Sequence, residues 1–373
     1  MTRTSHLMTS IAIIGTGLIG KRHLNHVISE PLTRLAAIVE PLPAGKELAA
    51  EHGVPCYASV AELIAARDAN EVYVDAAIVG TPTHTFFSHV PIGVQLIDAG
   101  LHALVEKPIA GTRKEAQLLV DAVEKAGGKA KVLVGQHRRF NPYTVALKSA
   151  LNSGKLGKLL GIQGTWATKK GGNNYFSDWK ILPAGGGTIN INMIHDVDLL
   201  RYLFGDIKRV YCEEGERTRG HPVEETGAVV LKFASGAVGT FFFSDATASP
   251  WCWEGATGEN PDLVGQYSKD IYTIFGTHGS IQLPTLSLFT FDHLPDPEKD
   301  GNWLTRLSED LSIRETLVGI VDVPPFTLQL QHFVRVCQGL EEPSCSALEG
   351  LRSVDAVEAI KVSMVERRVV EIE

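Results

Sequence analysis

One short segment, IAIIGTGLIG at residues 11–20, restricts the possible folds of this chain more than any other. An apolar, β-branched run, Ile11–Ile14, enters a turn carrying Gly15, Gly17 and Gly20, with Leu18 and Ile19 between the last two. Each glycine has its own task. The first permits a tight strand-to-helix turn, the second lets a pyrophosphate reach the backbone, and the third lets helix and strand pack closely. The N-terminus of the following helix offers free N–H groups to phosphate charge. A second apolar run, LAAIVEP, ends in Glu40, roughly 20 residues on, where a carboxylate accepts from the hydroxyls of an adenosine ribose. Strand, glycine turn, helix and acid together predict an adenine-dinucleotide cradle made of Gly15, Gly17, Leu18, Ile19, Gly20 and Glu40. The charge of Glu40 repels a 2′-phosphate, and Pro41 and Leu42 supply no cation, so NAD is favoured over NADP.

The same strand–helix rhythm continues through the first third. Apolar runs recur at Leu35–Val39, Ala76–Val79, Leu104–Val105 and Val132–Val134, with helical patterns between them. This βαβ punctuation predicts an α/β fold: an N-terminal Rossmann-type domain over residues 9–135 with a parallel, doubly wound sheet. After residue 136 the pattern changes. A helix is expected over 140–154, a strand over Leu159–Thr168 and a helix over Ile194–Phe204. Strands are then expected at Val210–Glu216, Ala228–Phe233, Ala237–Ser244, Ile271–Phe275 and Ser280–Leu283, with a hairpin turn at Ser235-Gly236. Residues 170–188, 248–268 and 294–303 read as loops, and Phe326–Gln338 and Ser346–Arg367 as helices. The expectation for 136–373 is an α+β domain for substrate binding and oligomerisation, built on a large, mostly antiparallel sheet. Val238–Phe243 puts apolar residues on both strand faces, so the face that helices do not cover suits a homodimer or homotetramer contact.

Composition removes several function classes. The net charge of −8 argues against a nucleic-acid partner, which demands a concentrated basic surface. Lys169-Lys170 and Arg138-Arg139 are short basic pairs whose plain reading is a solvated face. The five cysteines are scattered with no CxxC, against a disulfide framework or structural zinc. Ile11–Ile14 is far too short for a signal sequence or membrane span, so the expected setting is the cytoplasm, away from membranes.

Further segments bear on chemistry. GTPTH (80–84) follows a strand at the carboxyl edge of the sheet, where ligands bind in open α/β folds. Thr81 and Pro82 can line the cofactor there; His84 either points at it or caps the next helix. Glu106-Lys107-Pro108 follows another strand to the same edge. A lysine so placed can hydrogen-bond a substrate hydroxyl and favour the alkoxide character that develops as hydride leaves. Gln136, Arg138 and Asn141 follow the last Rossmann strand. Gln136 suits the nicotinamide end; Arg138 either meets an anionic substrate group or pairs with Glu106. GGNNYFSDW (171–179), with Asn173, Asn174, Tyr175 and Asp178, suits a polyhydroxylated ligand or is an ordinary irregular loop. His195 stands near the start of a helix after a glycine-rich stretch, and histidine moves protons near neutral pH. No ligand cluster supports a metal.

GTGLIGKRH (15–23), GTPTH, EKP, GQHRRFNP (135–142), GGGTININMIHDVDLLRYLFG (185–205) and the stretch 330–360 run in one order along the chain. In these segments the chain resembles the Gfo/Idh/MocA oxidoreductases, relatives of glucose–fructose oxidoreductase and inositol dehydrogenase. The resemblance implies a catalytic Lys107 before a cis proline, a proton-exchanging His195, and hydride transfer between NAD and a secondary alcohol or ketone of a sugar, cyclitol or related polyol. It also admits an NAD-dependent glycosidase, or a cofactor-sensing regulator without chemistry. The family commonly carries an aspartate four residues before the histidine; this chain has Ile191 there. Either Asn192 takes over hydrogen bonding to the substrate or cofactor, or Lys107 and His195 suffice.

Overall fold

The computed structural model describes residues 8–81, 89–171, 175–176, 178–183, 185–260, 266–317 and 323–373. Its contacts divide the chain into two units. One is the chain up to His137 with Phe326–Val354, and the other is Arg138–Pro325 with Asp355–Glu373. The helix Pro325–Cys337, read from sequence as part of the second domain, therefore packs almost wholly in the first unit. The helix Ala347–Glu366 is counted with the first unit through Val354 and with the second from Asp355.

In the first unit, strands β1 (Thr9–Ile14), β2 (Thr33–Val39), β3 (Cys56–Tyr57), β4 (Ala76–Val79), β5 (His102–Val105) and β6 (Val132–Val134) form one sheet in the order β3-β2-β1-β4-β5-β6. All five pairings are parallel. Helices α1 (Leu18–Ser29), α2 (Pro43–Glu51), α3 (Val60–Asp68), α4 (His89–Asp98) and α5 (Arg113–Ala126) connect them. Each inner strand carries a continuous apolar run up to its carboxyl end, as burial on both faces requires; β4 is apolar and buried at every residue. Strand order reverses between β1 and β4, the position where open α/β sheets bind ligands.

Local chemistry sets the helix ends. Ser59 caps α3 by accepting from Glu62 N–H, and Thr112 caps α5 by accepting from Glu115 N–H. Gly127, at φ 58°, ends α5 in the left-handed conformation. The start of α1 differs: its cap is Gly17, and no side chain satisfies the first N–H groups.

The second unit holds α6 (Pro142–Asn152), β7 (Leu159–Ala167), α7 (Ile194–Phe204), β8 (Ile207–Glu214), β9 (Thr226–Phe233), β10 (Val238–Ser244), β11 (Tyr272–Gly276), β12 (Gly279–Leu283), β13 (Leu288–Thr290), β14 (Ser308–Asp310) and β15 (Val370–Glu371). Its nine strands run in the order β14-β13-β12-β11-β7-β10-β9-β8-β15. Among the described residues only the β7–β10 pair of this sheet is parallel. The expected mostly antiparallel sheet is thus present, with four short strands, β3, β13, β14 and β15, beyond those anticipated in the two units. One face carries the core, including Trp166, Phe233, Phe241, Phe243 and Tyr272, each at most 2% exposed. On the other face Val230 and Val238 are each 51% exposed. Alternation along β9 and β10 produces this division. Residues 248–268 and 294–303, expected as loops, contain the short helices Trp253–Thr257 and Pro297–Asp300. Ile189–Met193, next to a stretch expected as loop, form a π-helical turn leading into α7. Among the described residues no helix is long and apolar enough to cross a membrane.

Candidate functional site

The glycine turn of the first unit has the geometry its sequence predicts. Gly15 sits at φ 86°, and a Cβ there would lie 3.0 Å from Thr81 Cγ2. A Cβ on Gly20 would lie 2.0 Å from Gly15 O, so helix and turn touch directly. A Cβ on Gly17 would meet nothing within 4 Å. Open space over an uncapped helix N-terminus is what a pyrophosphate needs. Leu18, 91% exposed, opens α1 beside it. Glu40 stands at the end of β2. Its Oε2 accepts from Thr16 N–H and Thr16 Oγ1, both at 3.0 Å, and its Oε1 accepts from Leu42 N–H at 3.2 Å. Gly45 of α2 makes room for it, since a Cβ there would lie 2.4 Å from Glu40 Cβ. These residues fit NAD: a phosphate cradle, and an acid bonded to the turn that forms it.

Glu106 and Lys107 follow β5. Glu106 is buried, and its Oε1 lies 2.7 Å from His23 Nε2 of α1. Its Oε2 accepts from Lys107 N–H at 3.1 Å. Burial alone pushes the Glu106 carboxyl up, but His23, His137 and Lys107 outweigh it and hold the group below the usual carboxylate range. The Lys107-Pro108 bond is cis. The ring of Phe326 stacks on His137 at 4.5 Å and meets His23 edge-on at 5.3 Å.

Gln136 is buried just past β6, and its N–H donates to Val134 O at 2.7 Å. His89, at the start of α4, lies with Nδ1 2.8 Å from Pro108 O and Nε2 2.5 Å from Thr81 O. Both contacts are hydrogen bonds only when both ring nitrogens carry protons. Burial opposes that charge and pushes the His89 pKa down. His23 and His89 were not singled out from sequence. The signal for His23 was its place one turn after Gly20, on the buried face shared with Leu24 and Val27.

The second unit assembles a different set. His195 occupies the first turn of α7 and is 6% exposed. Asn192, in the π-helical turn before it, accepts at Oδ1 from Lys170 Nζ at 2.5 Å. The same ammonium donates to the Tyr175 hydroxyl oxygen at 2.7 Å. Burial, then Asp245 and Glu254, push the Tyr175 hydroxyl up to about 12. Lys170, read from sequence as part of a solvated pair, is thus a partner of two predicted substrate residues. Asn190 donates to Gly186 O at 2.9 Å and serves its own turn.

Arg138 is buried, donating to Asp196 Oδ2 and Glu254 Oε1, both at 3.2 Å. Within its own unit its guanidinium is thus committed to these two acids. Tyr272 donates to Asp196 Oδ1 at 2.5 Å, and Arg139 holds Asp198 through two bonds of 2.7 Å. Both acids that follow His195 on α7, Asp196 and Asp198, are thereby engaged by arginines. Among the described residues no group of three or more His, Cys, Asp or Glu could hold a metal. Pro82, His84, Asn173 and Asn174 lie outside the described residues.

Residues 9–135 match an oxidoreductase family with an NAD-binding Rossmann fold, and residues 144–282 match the GFO/IDH/MocA C-terminal domain. The chain belongs to the Gfo/Idh/MocA oxidoreductase family, and its first unit is an NAD-binding Rossmann fold. It is 27% identical over 196 residues to the rhizopine catabolism protein MocA of Rhizobium meliloti, covering 52% of this chain and 57% of that one. It is 28% identical to the scyllo-inositol 2-dehydrogenase (NAD(+)) of Bacillus subtilis, covering 74% of this chain and 73% of that one. The chain spans about half the length of the MocA protein and of the inositol 2-dehydrogenases from Rhizobium meliloti and Corynebacterium glutamicum. In fold it is similar to the WlbA dehydrogenase of Bordetella pertussis, solved with NADH and UDP-GlcNAcA. The TM-score is 0.76 at 21% identity, covering 98% of both chains.

Proposed function

We propose that this protein is an NAD-dependent dehydrogenase. It would move hydride between the cofactor and a secondary alcohol or ketone of a sugar, cyclitol or related polyol. The observation that carries the reading is Lys107 at the end of β5, its backbone held by the buried Glu106–His23 pair in the same unit as the dinucleotide cradle. Gly15, Gly17, Leu18, Ile19, Gly20, Glu40, Thr81, Pro82, His84, Glu106, Lys107 and Gln136 would hold NAD, which supplies the hydride acceptor or donor. Lys107 binds the reacting oxygen and stabilises its negative character. His195 takes or returns that oxygen's proton. Asn192 and Tyr175 bind the substrate. Arg138, spent on Asp196 and Glu254, orients the helix that carries His195.

Purified protein is incubated with NAD and a panel of cyclitols and sugars while reduced-cofactor absorbance is followed. Turnover with at least one polyol is expected, and Lys107→Met should lower kcat at least 100-fold, as loss of one electrophilic group does. No turnover across the panel, or full activity in Lys107→Met, refutes the reading. The open sheet face bearing Val230 and Val238 fits a homo-oligomer contact, checked by light scattering across a concentration series. Five free thiols suit a reducing compartment, the cytoplasm.

A further inference from the structure

Lys170 sits just past β7 with its ammonium over the faces of Trp166 and Tyr175, 5.1 and 5.0 Å from the ring centroids. Lys180 brings a second ammonium to Tyr175, 4.2 Å from the centroid. An ammonium only donates, so each hydrogen-bonding partner of Lys170 must accept from it. This fixes two groups that otherwise turn either way. With Oδ1 of Asn192 taken, the amide presents its NH2 end to a ligand. With the Tyr175 oxygen accepting, the hydroxyl proton is the part left to give. The upward shift of that hydroxyl, to about 12, keeps the proton in place at any physiological pH. The acids that act on Tyr175 are committed elsewhere: Asp245 to Arg219, Glu254 to Arg138 and the Trp166 indole.

We propose that Lys170, Asn192 and Tyr175 form, among the described residues, a subsite of donors that reads an oxyanion, a carboxylate or phosphoryl group, on the substrate. The inference rests on the dehydrogenase reading and names the substrate class of that site: a sugar acid or sugar phosphate ahead of a neutral polyol. A substrate hydroxyl set among donors can accept, but its own proton is left without a partner, and a buried unsatisfied donor is costly. A carboxylate has no proton and about four lone-pair sites. Asn192 is 8% exposed, so that cost is not relieved by bulk water.

The test measures binding of glucose, glucuronate and glucose phosphate to the NAD-loaded protein by calorimetry, with NADH formation recorded in parallel. One or both anions should bind at least ~10-fold tighter than glucose, the scale of one charge-assisted hydrogen bond. The carboxylate and phosphate arms separate the two sources. Lys170→Met should bring the anion-to-glucose ratio to about 1, and Lys170→Arg should restore most of it. Asn192→Asp keeps a partner for Lys170 while turning a donor into an acceptor, and should lower the ratio at least as far. Lys169→Met, at the exposed neighbour, should keep it. Equal binding of all three ligands, binding of none, or an unchanged ratio in both Lys170→Met and Asn192→Asp overturns the proposal. Anion preference with no NADH formation from these ligands or across the polyol panel refutes the hydride-transfer reading and leaves this subsite standing. NADH formation with a flat ratio does the reverse.

Discussion

Glu106→Leu and Glu106→Gln should separate two contributions of one buried carboxylate. In the leucine variant both the bond to His23 at 2.7 Å and the bond from Lys107 N–H at 3.1 Å disappear. Hydrogen bonds to a charged group contribute about 1.5–3 kcal/mol each. His23, 2% exposed, is left facing an apolar side chain. Breaking a buried pair in this way costs about 3–5 kcal/mol. A Cβ on Gly135 would lie 2.8 Å from Glu106 Oε1, so the pocket is closely fitted to the carboxylate. Glutamine keeps that shape and an acceptor for either neighbour but loses the charge, so its cost should be about 1–2 kcal/mol. The folded carboxyl is held below its usual range, so its contribution is complete above the unfolded value of 4.5 and is lost as pH falls through the folded value. The gap between wild type and Glu106→Gln should therefore be constant from pH 7 down to about 5 and close below that. The assay is urea unfolding with hydrogen exchange read on peptides from β1 and β5. Tryptophan emission is the wrong probe, because all five tryptophans lie in the second unit. A leucine variant within about 1 kcal/mol of wild type, or equal losses in the two variants, refutes the reasoning.

Three further outcomes follow from the same geometry. Gly20→Ala places a methyl 2.0 Å from Gly15 O and should abolish NAD binding by displacing the turn, whereas Gly17→Ala, with open space around it, should leave the melting temperature unchanged and weaken NADH binding in a fluorescence titration. Glu40→Ala removes two bonds to Thr16 and a charge that repels a 2′-phosphate; NAD affinity should fall roughly 5–30-fold and the NAD-to-NADP ratio should drop, by the same titration with both cofactors. Glu225, buried and accepting from Thr218 and Arg219, is held down to about 2, so its contribution of about 3 kcal/mol is present above pH 4.5 and lost as pH falls toward 2; acid unfolding of Glu225→Gln should show a smaller loss across that window than wild type.

The sequence made the first unit easy to read because its signals are local. Ile11–Ile14 of β1 and all of β4 are uninterrupted apolar runs ending at glycines, and Thr112 and Gly127 punctuate the two ends of α5. β3, with two residues, and β13 and β14, with three each, are too short to carry a period and form only because a neighbouring strand offers its edge. The same distinction explains the site. Glycine conformation at Gly15 is a local property, and the turn followed expectation. Arg138 finds its partners 58 and 116 positions away, and Lys170 finds Asn192 22 positions away. A basic pair in sequence carries no record of such distant partners, so solvation was its natural reading.

Ile191 then takes on a different meaning. Within an α-helix, a residue four before His195 would share its face. Here the segment Ile189–Met193 is π-helical, with Ile194 N–H bonded to Ile189 O, five residues back. A π turn shifts the residues before it around the helix relative to those after it. The polar group that this turn directs to Lys170, itself bonded to Tyr175, is Asn192, not position 191. An amide cannot exchange a proton as an aspartate can, and Lys170 fixes which end of it faces outward. Under the proposed chemistry, loss of the acid at 191 therefore leaves His195 as the proton carrier of α7 and converts its neighbour into a hydrogen-bond donor. Asn192→Asp bears on both conclusions: it should erase oxyanion preference, and if a carboxylate at 192 can share proton exchange, it should also broaden the acid limb of the kcat profile around His195.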